Sequence, residues 1–348
     1  MPLTFWLPFL HRTPGASRPG SAPIRLALAL LMGTALTLAL VPGAQAQAPA
    51  SNATACPPPI QMPAPEQMQT LAAQAADHGF LWRVSKGERR AWLYGTIHVG
   101  KLGWIFLGPQ LRAALAAADT VALELDISDP VIAQQAAELS RAPANAPALP
   151  DALRQRLARQ VALACLPAQV LDSQHPVMQA MTLTVLAGRW DGLETAFAQE
   201  MVLSSAAKSQ AKPVVSLESV ALQMGALLPS DPAKVVELTD HTLAQVERGL
   251  ARSQLSRLAG IWERSELDEL SQYERWCDCV ASDDDRAQMK LLNDDRNPQM
   301  ANGIEALLAQ GKRVFVAVGA LHMIGEQGLP KLLQQRGYTV ERVAFTPR

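Results

Sequence analysis

An excess of charge of either sign is missing from this sequence. It holds 31 lysines and arginines against 32 acids, a formal net charge of −1. The first 46 residues carry three arginines and no acid, which leaves 28 basic and 32 acidic residues in the rest. A nucleic-acid-binding domain is usually basic, so that class of partner is not expected. Apolar runs long enough to span a bilayer are also missing. The stretch Leu26 to Val41 has 16 residues, short of the ~20 that a transmembrane helix needs. There is no His-Glu-x-x-His and no Gly-x-Ser-x-Gly, so zincin and ordinary α/β-hydrolase chemistry lack their motifs. Gly95–Lys101 has Gly-x₄-Gly-Lys spacing, but Leu102 stands where a phosphate-binding loop needs a hydroxyl.

Cysteine is scarce, with four in 348 residues. Cys277-x-Cys279 lacks the partner pair of a metal knuckle. In an exported chain the four would form disulfides, for which three full connectivities exist. Pairing Cys277 with Cys279 across one residue is geometrically awkward, so one of them is expected to join Cys165 or Cys56.

What is present is an ordinary globular composition, 49% hydrophobic and 18% charged. Residues 1–46 read as a secretory signal. Arg12, Arg18 and Arg25 precede the apolar stretch, and Ala44-Gln45-Ala46 is a small-x-small cleavage site. No stable membrane span is expected after cleavage. Residues 47–66 are rich in Ala, Pro and Gln and read as a flexible leader. The domain proper is expected over 67–348.

Two stretches organise that domain. Val314–Val318 is a run of five apolar residues, a strand buried on both faces. It ends in Gly319-Ala320-Leu321-His322. Ala91–Tyr94 likewise ends in Gly95-Thr96-Ile97-His98, as the second strand of a hairpin that begins at Phe80. Each Gly-x-x-His leads through a short loop and a helix to a strand starting Thr-Val, at Thr120 and at Thr339. The pattern implies an α/β fold: a central mixed sheet built from two related strand–Gly-x-x-His–helix–strand halves, with a large helical insertion at about 127–292. Pro213–Glu218 is a further strand ending at an acid.

His98 and His322 fall just past strand ends, where open α/β sheets place their ligands. Glu124 sits in the apolar run Val121-Ala122-Leu123-Glu124-Leu125, where a carboxylate is costly to bury without a cation or donor. The alternative is an edge strand with Glu124 facing water. Two histidines and one carboxylate are a common ligand set for Zn²⁺, Mn²⁺, Fe²⁺ or Co²⁺. Glu218 is the candidate second acid, as ligand or general base. Arg296 is the candidate for stabilising an oxyanion. His78, His175 and His241 have surface or capping readings.

Taken together, Trp92–His98, Glu124, Leu217-Glu218-Ser219 with Gln223, Asp295-Arg296-Asn297-x-x-Met300 and Val318–His322-x-x-Gly325-x-x-Gly328-Leu329 resemble the TraB/GumN family, TIKI-like proteases included. The resemblance runs from about Phe80 to Val343. It implies an erythromycin-esterase/ChaN-like α/β fold, with His98, His322 and Glu124 in a shared site and Glu218, Arg296 and Asn297 nearby. TIKI-like members are Mn²⁺- or Co²⁺-dependent peptidases. The expectation is an exported metal-dependent hydrolase acting on a peptide or small molecule, with Mn, Co or Zn bound by His98, His322 and Glu124. The alternatives are a haem- or metal-binding protein without catalysis and a metal-independent esterase of the same fold.

Overall fold

A computed structural model of the chain describes residues 56–144 and 146–345. The secretory signal read over 1–46 and residues 47–55 of the leader lie outside the described residues. Within them, no helix is long and apolar enough to cross a membrane.

Six strands form one mixed sheet: β1 (Phe80–Lys86), β2 (Arg89–Thr96), β3 (Thr120–Leu123), β4 (Val214–Ser216), β5 (Val314–Gly319) and β6 (Thr339–Val343). Their order is β4-β3-β5-β2-β1-β6. β4, β3, β5 and β2 run parallel, and β1 is antiparallel to both β2 and β6. The central position of β5 explains its composition. Every residue from Val314 to Gly319 is buried, with β2 on one side and β3 on the other. Only apolar side chains and glycine suit such a strand.

The two strands that follow the Gly-x-x-His turns take different places. β3 returns beside β5, parallel to it. β6 lies antiparallel beside β1. A duplication carried through to the sheet would put β6 next to β2, but β1 occupies that position. The cause is local. β1 and β2 are joined through Gly87-Glu88, with Lys86 opposite Arg89, so the hairpin closes on itself before any distant strand can pair.

The described residues of 127–292 form helices and turns interrupted by β4, which joins the sheet edge beside β3. Two helices that position the site pack on the sheet, Gln199–Ser209 and Asn297–Ala309, and the helix Pro109–Ala117 adds Leu111, Ala114 and Leu115 to the same core. Pro109 occupies the first turn of its helix, where its missing N–H costs nothing. Trp262, from the helix Leu250–Arg264, is fully buried and donates its indole N–H to the Gly95 carbonyl at 2.8 Å. This bond anchors the helical segment under the first Gly-x-x-His turn.

The disulfides join Cys56 to Cys165 and Cys277 to Cys279. The expectation that Cys277 or Cys279 would reach Cys165 or Cys56 is therefore corrected. A 3₁₀ turn over Asp278–Val280 brings the Cys277 and Cys279 Cα atoms to 5.0 Å, a separation that a disulfide spans. Cys165 is taken by Cys56.

The two bridges close loops of very different length, 109 residues against two. Losing the first should cost about 4–5 kcal/mol through the freed denatured chain, and losing the second about 1 kcal/mol. Denaturant unfolding of Cys56→Ser/Cys165→Ser and of Cys277→Ser/Cys279→Ser checks this ranking. Equal losses would show that loop closure is not the main term.

Candidate functional site

The four parallel strands end side by side and deliver their chemistry in sheet order: Glu218 after β4, Glu124 after β3, His322 after β5 and His98 after β2. Both carboxylates lie just past their strands rather than inside them, because β3 stops at Leu123 and β4 at Ser216. Backbone pairing continues briefly beyond. Leu217 N–H donates to Leu123 O at 2.8 Å, and Glu218 N–H to Glu124 O at 3.1 Å. Glu124 is only 4% exposed and β3 is an interior strand, so the water-facing alternative for this residue falls away.

Gly319 is the meeting point. Its N–H donates to Glu124 Oε1 at 2.7 Å. A Cβ added at Gly319 would lie 3.3 Å from Glu124 Oε1, 3.5 Å from His98 Nε2 and 3.6 Å from His322 Cδ2. A side chain there would fill the space that the three groups share.

Glu124 Oε2 accepts from Arg296 Nη2 at 2.8 Å and from Gln223 Nε2 at 3.1 Å. Arg296 also donates from Nε to Glu218 Oε1 at 3.0 Å, from Nη2 to Glu218 Oε2 and from Nη1 to the Leu292 carbonyl at 2.8 Å. One guanidinium thus serves two buried carboxylates. Burial opposes ionisation of Glu124, but His322, Arg296 and His98, with the Gly319 N–H, hold its pKa down at about 2. Burial raises the pKa of Glu218, an effect that Arg296 only partly offsets.

The histidines share a sequence context but not an environment. His322 is fully buried, with Nδ1 2.7 Å from Asn297 Oδ1. Asn297 Nδ2 donates to the Gln327 carbonyl at 2.8 Å, so its oxygen is the atom facing the ring. Nδ1 of His322 therefore carries the proton, and Nε2, 3.8 Å from Glu124 Oε1, presents a lone pair. Burial pushes the pKa of His322 down to about 4, against the pull of Glu124. The His98 side chain is 30% exposed, and its Nδ1 lies 3.0 Å from Glu200 Oε1. Burial lowers the pKa of His98, but Glu200 and Glu124 together outweigh it and the net direction is upward. The site opens to solvent on the His98 side.

All six residues singled out from the sequence, His98, His322, Glu124, Glu218, Arg296 and Asn297, lie in this one cluster. Three further members are Thr96, Gln223 and Glu200. Gln223 belongs to the motif set but carried no assigned role. Glu200 had no sequence signal, since an acid in the first turn of a helix is commonplace. The other three histidines among the described residues lie elsewhere in bland roles. His175 caps the helix Pro176–Leu186, His78 Nδ1 lies 2.8 Å from the Glu263 carbonyl, and His241 is 3.6 Å from Asp285 on the surface.

Two histidine Nε2 atoms and one carboxylate oxygen suit a divalent cation chemically. Each Nδ1 already faces an acceptor, as metal-ligating histidines require. Among the described residues, no three or more His, Cys, Asp or Glu side chains are grouped to hold an ion as they stand. Glu124 Oε2 is committed to Arg296 and Gln223, which leaves Oε1 as the donor on that side.

These features define a mixed α/β protein whose paired strand-end histidines meet a buried Glu–Arg–Glu network. The chain belongs to the TraB/PrgY/gumN family, whose model matches residues 80–342. It is 27% identical over 289 residues to the uncharacterized protein YbaP of Shigella flexneri and of Escherichia coli, covering 77% of this chain and 98% of each relative. It is 23% identical over 324 residues to the metalloprotease TIKI1 of Danio rerio, covering 80% of this chain and 65% of that protein. No solved structure matches.

Arg296→Met would strand two buried carboxylates and should cost about 3–5 kcal/mol, among the largest single-site losses in the chain. Urea unfolding measures it, and a loss within surface range would show that the network contributes little. The pH dependence of the metal-free parent has a definite shape. His98, with a raised folded pKa, contributes stability that is full below its usual 6.5 and lost as pH rises through the raised value. His322, with a folded pKa of about 4, contributes stability present above 6.5 and lost as pH falls from there to about 4. Glu124 follows, its contribution lost between about 4.5 and 2. Protonation of Glu218 partly offsets the acid losses. Stability should therefore peak near pH 6.5, and His322→Gln should flatten the limb between 6.5 and 4, as unfolding free energies across pH would show.

Proposed function

We propose that the chain is an exported metal-dependent hydrolase with peptides as its substrate class. The observation that carries this reading is the convergence of His98 Nε2, His322 and Glu124 Oε1 around Gly319. The distant likeness to a metalloprotease supports the reaction class. The two disulfides and the signal-like residues 1–46 support export to an oxidising compartment.

His98, His322 and Glu124 would hold a divalent ion, with Mn²⁺, Co²⁺ or Zn²⁺ as candidates. Such an ion supplies Lewis acidity at a carbonyl and lowers the pKa of water. The chain's own groups have distinct tasks. Arg296 keeps Glu124 ionised and turned towards Gly319. Glu218 holds Arg296 with both oxygens and is itself fully enclosed, its side chain 0% exposed. Glu218 is thus a poor base for an incoming substrate, and Glu124 Oε1 is the carboxylate oxygen left facing the space beside Gly319. An oxyanion role for Arg296 would require it to give up a carboxylate, so its task in this proposal is to position Glu124. Asn297 fixes the His322 ring.

One feature favours a second reading, a metal-independent esterase. His98 beside Glu200 is a histidine–carboxylate pair of the kind that serves acid/base catalysis. Chelation separates the two. Under the metal reading, stripped protein loses peptide cleavage and regains it with Mn²⁺, Co²⁺ or Zn²⁺. His98→Ala and His322→Ala each abolish most activity, and the double variant adds little. Metal raises the melting temperature of the parent but of neither variant. Full cleavage by protein shown to be metal-free would refute the metal reading.

A further inference from the structure

We propose that Glu200 is the positioning residue for His98. Its carboxylate receives the Nδ1 proton of His98 and so leaves Nε2 bare towards Gly319. This rests on the reading that His98 Nε2 is a working atom of the site.

The backbone places Glu200 there. Gln199 N–H, at the start of the helix Gln199–Ser209, donates to the Ile97 carbonyl at 3.1 Å, one residue before His98. Gly100 and Glu194 exchange two backbone hydrogen bonds at 2.9 and 2.8 Å. The first Gly-x-x-His turn and the segment leading to Glu200 are thus joined on both sides of His98. Thr96, from within that same motif, donates its hydroxyl to Glu200 Oε1. This is the oxygen 3.0 Å from His98 Nδ1.

The contact is close but not aligned as a formed hydrogen bond. His98 Nδ1 and Glu200 Oε2 are both buried with no hydrogen-bond partner among the described residues. The Glu200 carboxylate is the acceptor that stands 3.0 Å from Nδ1. Active-site hydrogen bonds often tighten once the site is occupied.

The arrangement matches what Asn297 does for His322, with a charged acceptor in place of an amide. Which ring nitrogen is protonated is set by the bond that the other makes. A neutral histidine free in water favours the Nε2–H form, so a held Nδ1–H form is diagnostic.

The test is nitrogen NMR of histidine-labelled, metal-free full chain, recorded on the basic side of both site-histidine titrations. The parent should show His98 as the Nδ1–H form. Glu200→Ala should shift it to Nε2–H or to an averaged state. Glu200→Gln, which keeps an acceptor oxygen, should retain Nδ1–H, and Thr96→Val should loosen the preference. Co²⁺ affinity should fall roughly 10–100-fold in Glu200→Ala. His98 as Nε2–H in the parent, or an unchanged tautomer in Glu200→Ala, overturns the proposal. If Glu200→Ala does not fold, the parent and Glu200→Gln spectra decide. A parent with the Nδ1–H form that binds no Co²⁺, Mn²⁺ or Zn²⁺ would defeat the metal reading and leave the positioning role standing.

Discussion

The rest of the site depends on one guanidinium held between two buried carboxylates. Glu124 and Glu218 end neighbouring strands, and both would be heavily penalised without a cation. Arg296 reaches them from a point far along the chain, just before the helix Asn297–Ala309. Residues 127–292 must therefore leave the sheet, contribute β4 and its Glu218, and return so that Arg296 arrives opposite Glu124. A register slip in β3 or β4 would carry a carboxylate away from its partner. The ionic network thus ties the register of two short strands to the exit and return of the helical segment.

Sequence patterning made part of this legible. The apolar run Val314–Val318 and its glycine predicted a central strand, and β5 is central. Glu124 stood out because a carboxylate in an apolar run needs a buried partner, and Arg296 is that partner. Asn297 and Gln223 stood out through motif resemblance alone, and their contacts now give each a task. Glu200 was invisible because nothing local distinguishes an acid in a first helical turn that faces solvent from one that faces a histidine. Only the pairing of Gln199 with Ile97, about a hundred residues apart, makes the difference. The place of β6 was hidden for a related reason: the tight β1–β2 hairpin takes the position that a repeated half would assign to it.

The two Gly-x-x-His turns illustrate how identical motifs diverge once packed. Their strands are adjacent, with Thr96 opposite Gly319. Yet His322 is enclosed, with its Nδ1 against an amide, and His98 sits at the open side with its Nδ1 against a carboxylate. Burial is the largest influence on both, but at His98 the Glu200 and Glu124 carboxylates together overcome it, so the two pKa values move in opposite directions. Pairs of titratable groups pushed apart in this manner are how a site divides unlike tasks between like residues. His322 is suited to remain a neutral donor of its lone pair, and His98 is suited to meet what comes in from solvent.

The glycines of the motif divide their work in the same way. A Cβ at Gly95 would lie 3.2 Å from Ala320 Cα and 3.2 Å from Met323 Cγ, so Gly95 allows the two turns to pack against each other. The carbonyl of Gly95 receives Trp262, which ties the helical segment to the turn. A Cβ at Gly319 would instead meet the functional atoms of Glu124 and His98. The first glycine lets backbone approach backbone, and the second keeps a space open and offers its N–H to Glu124. Repetition in the sequence thus locates the site, while the neighbours of each copy determine what that copy does.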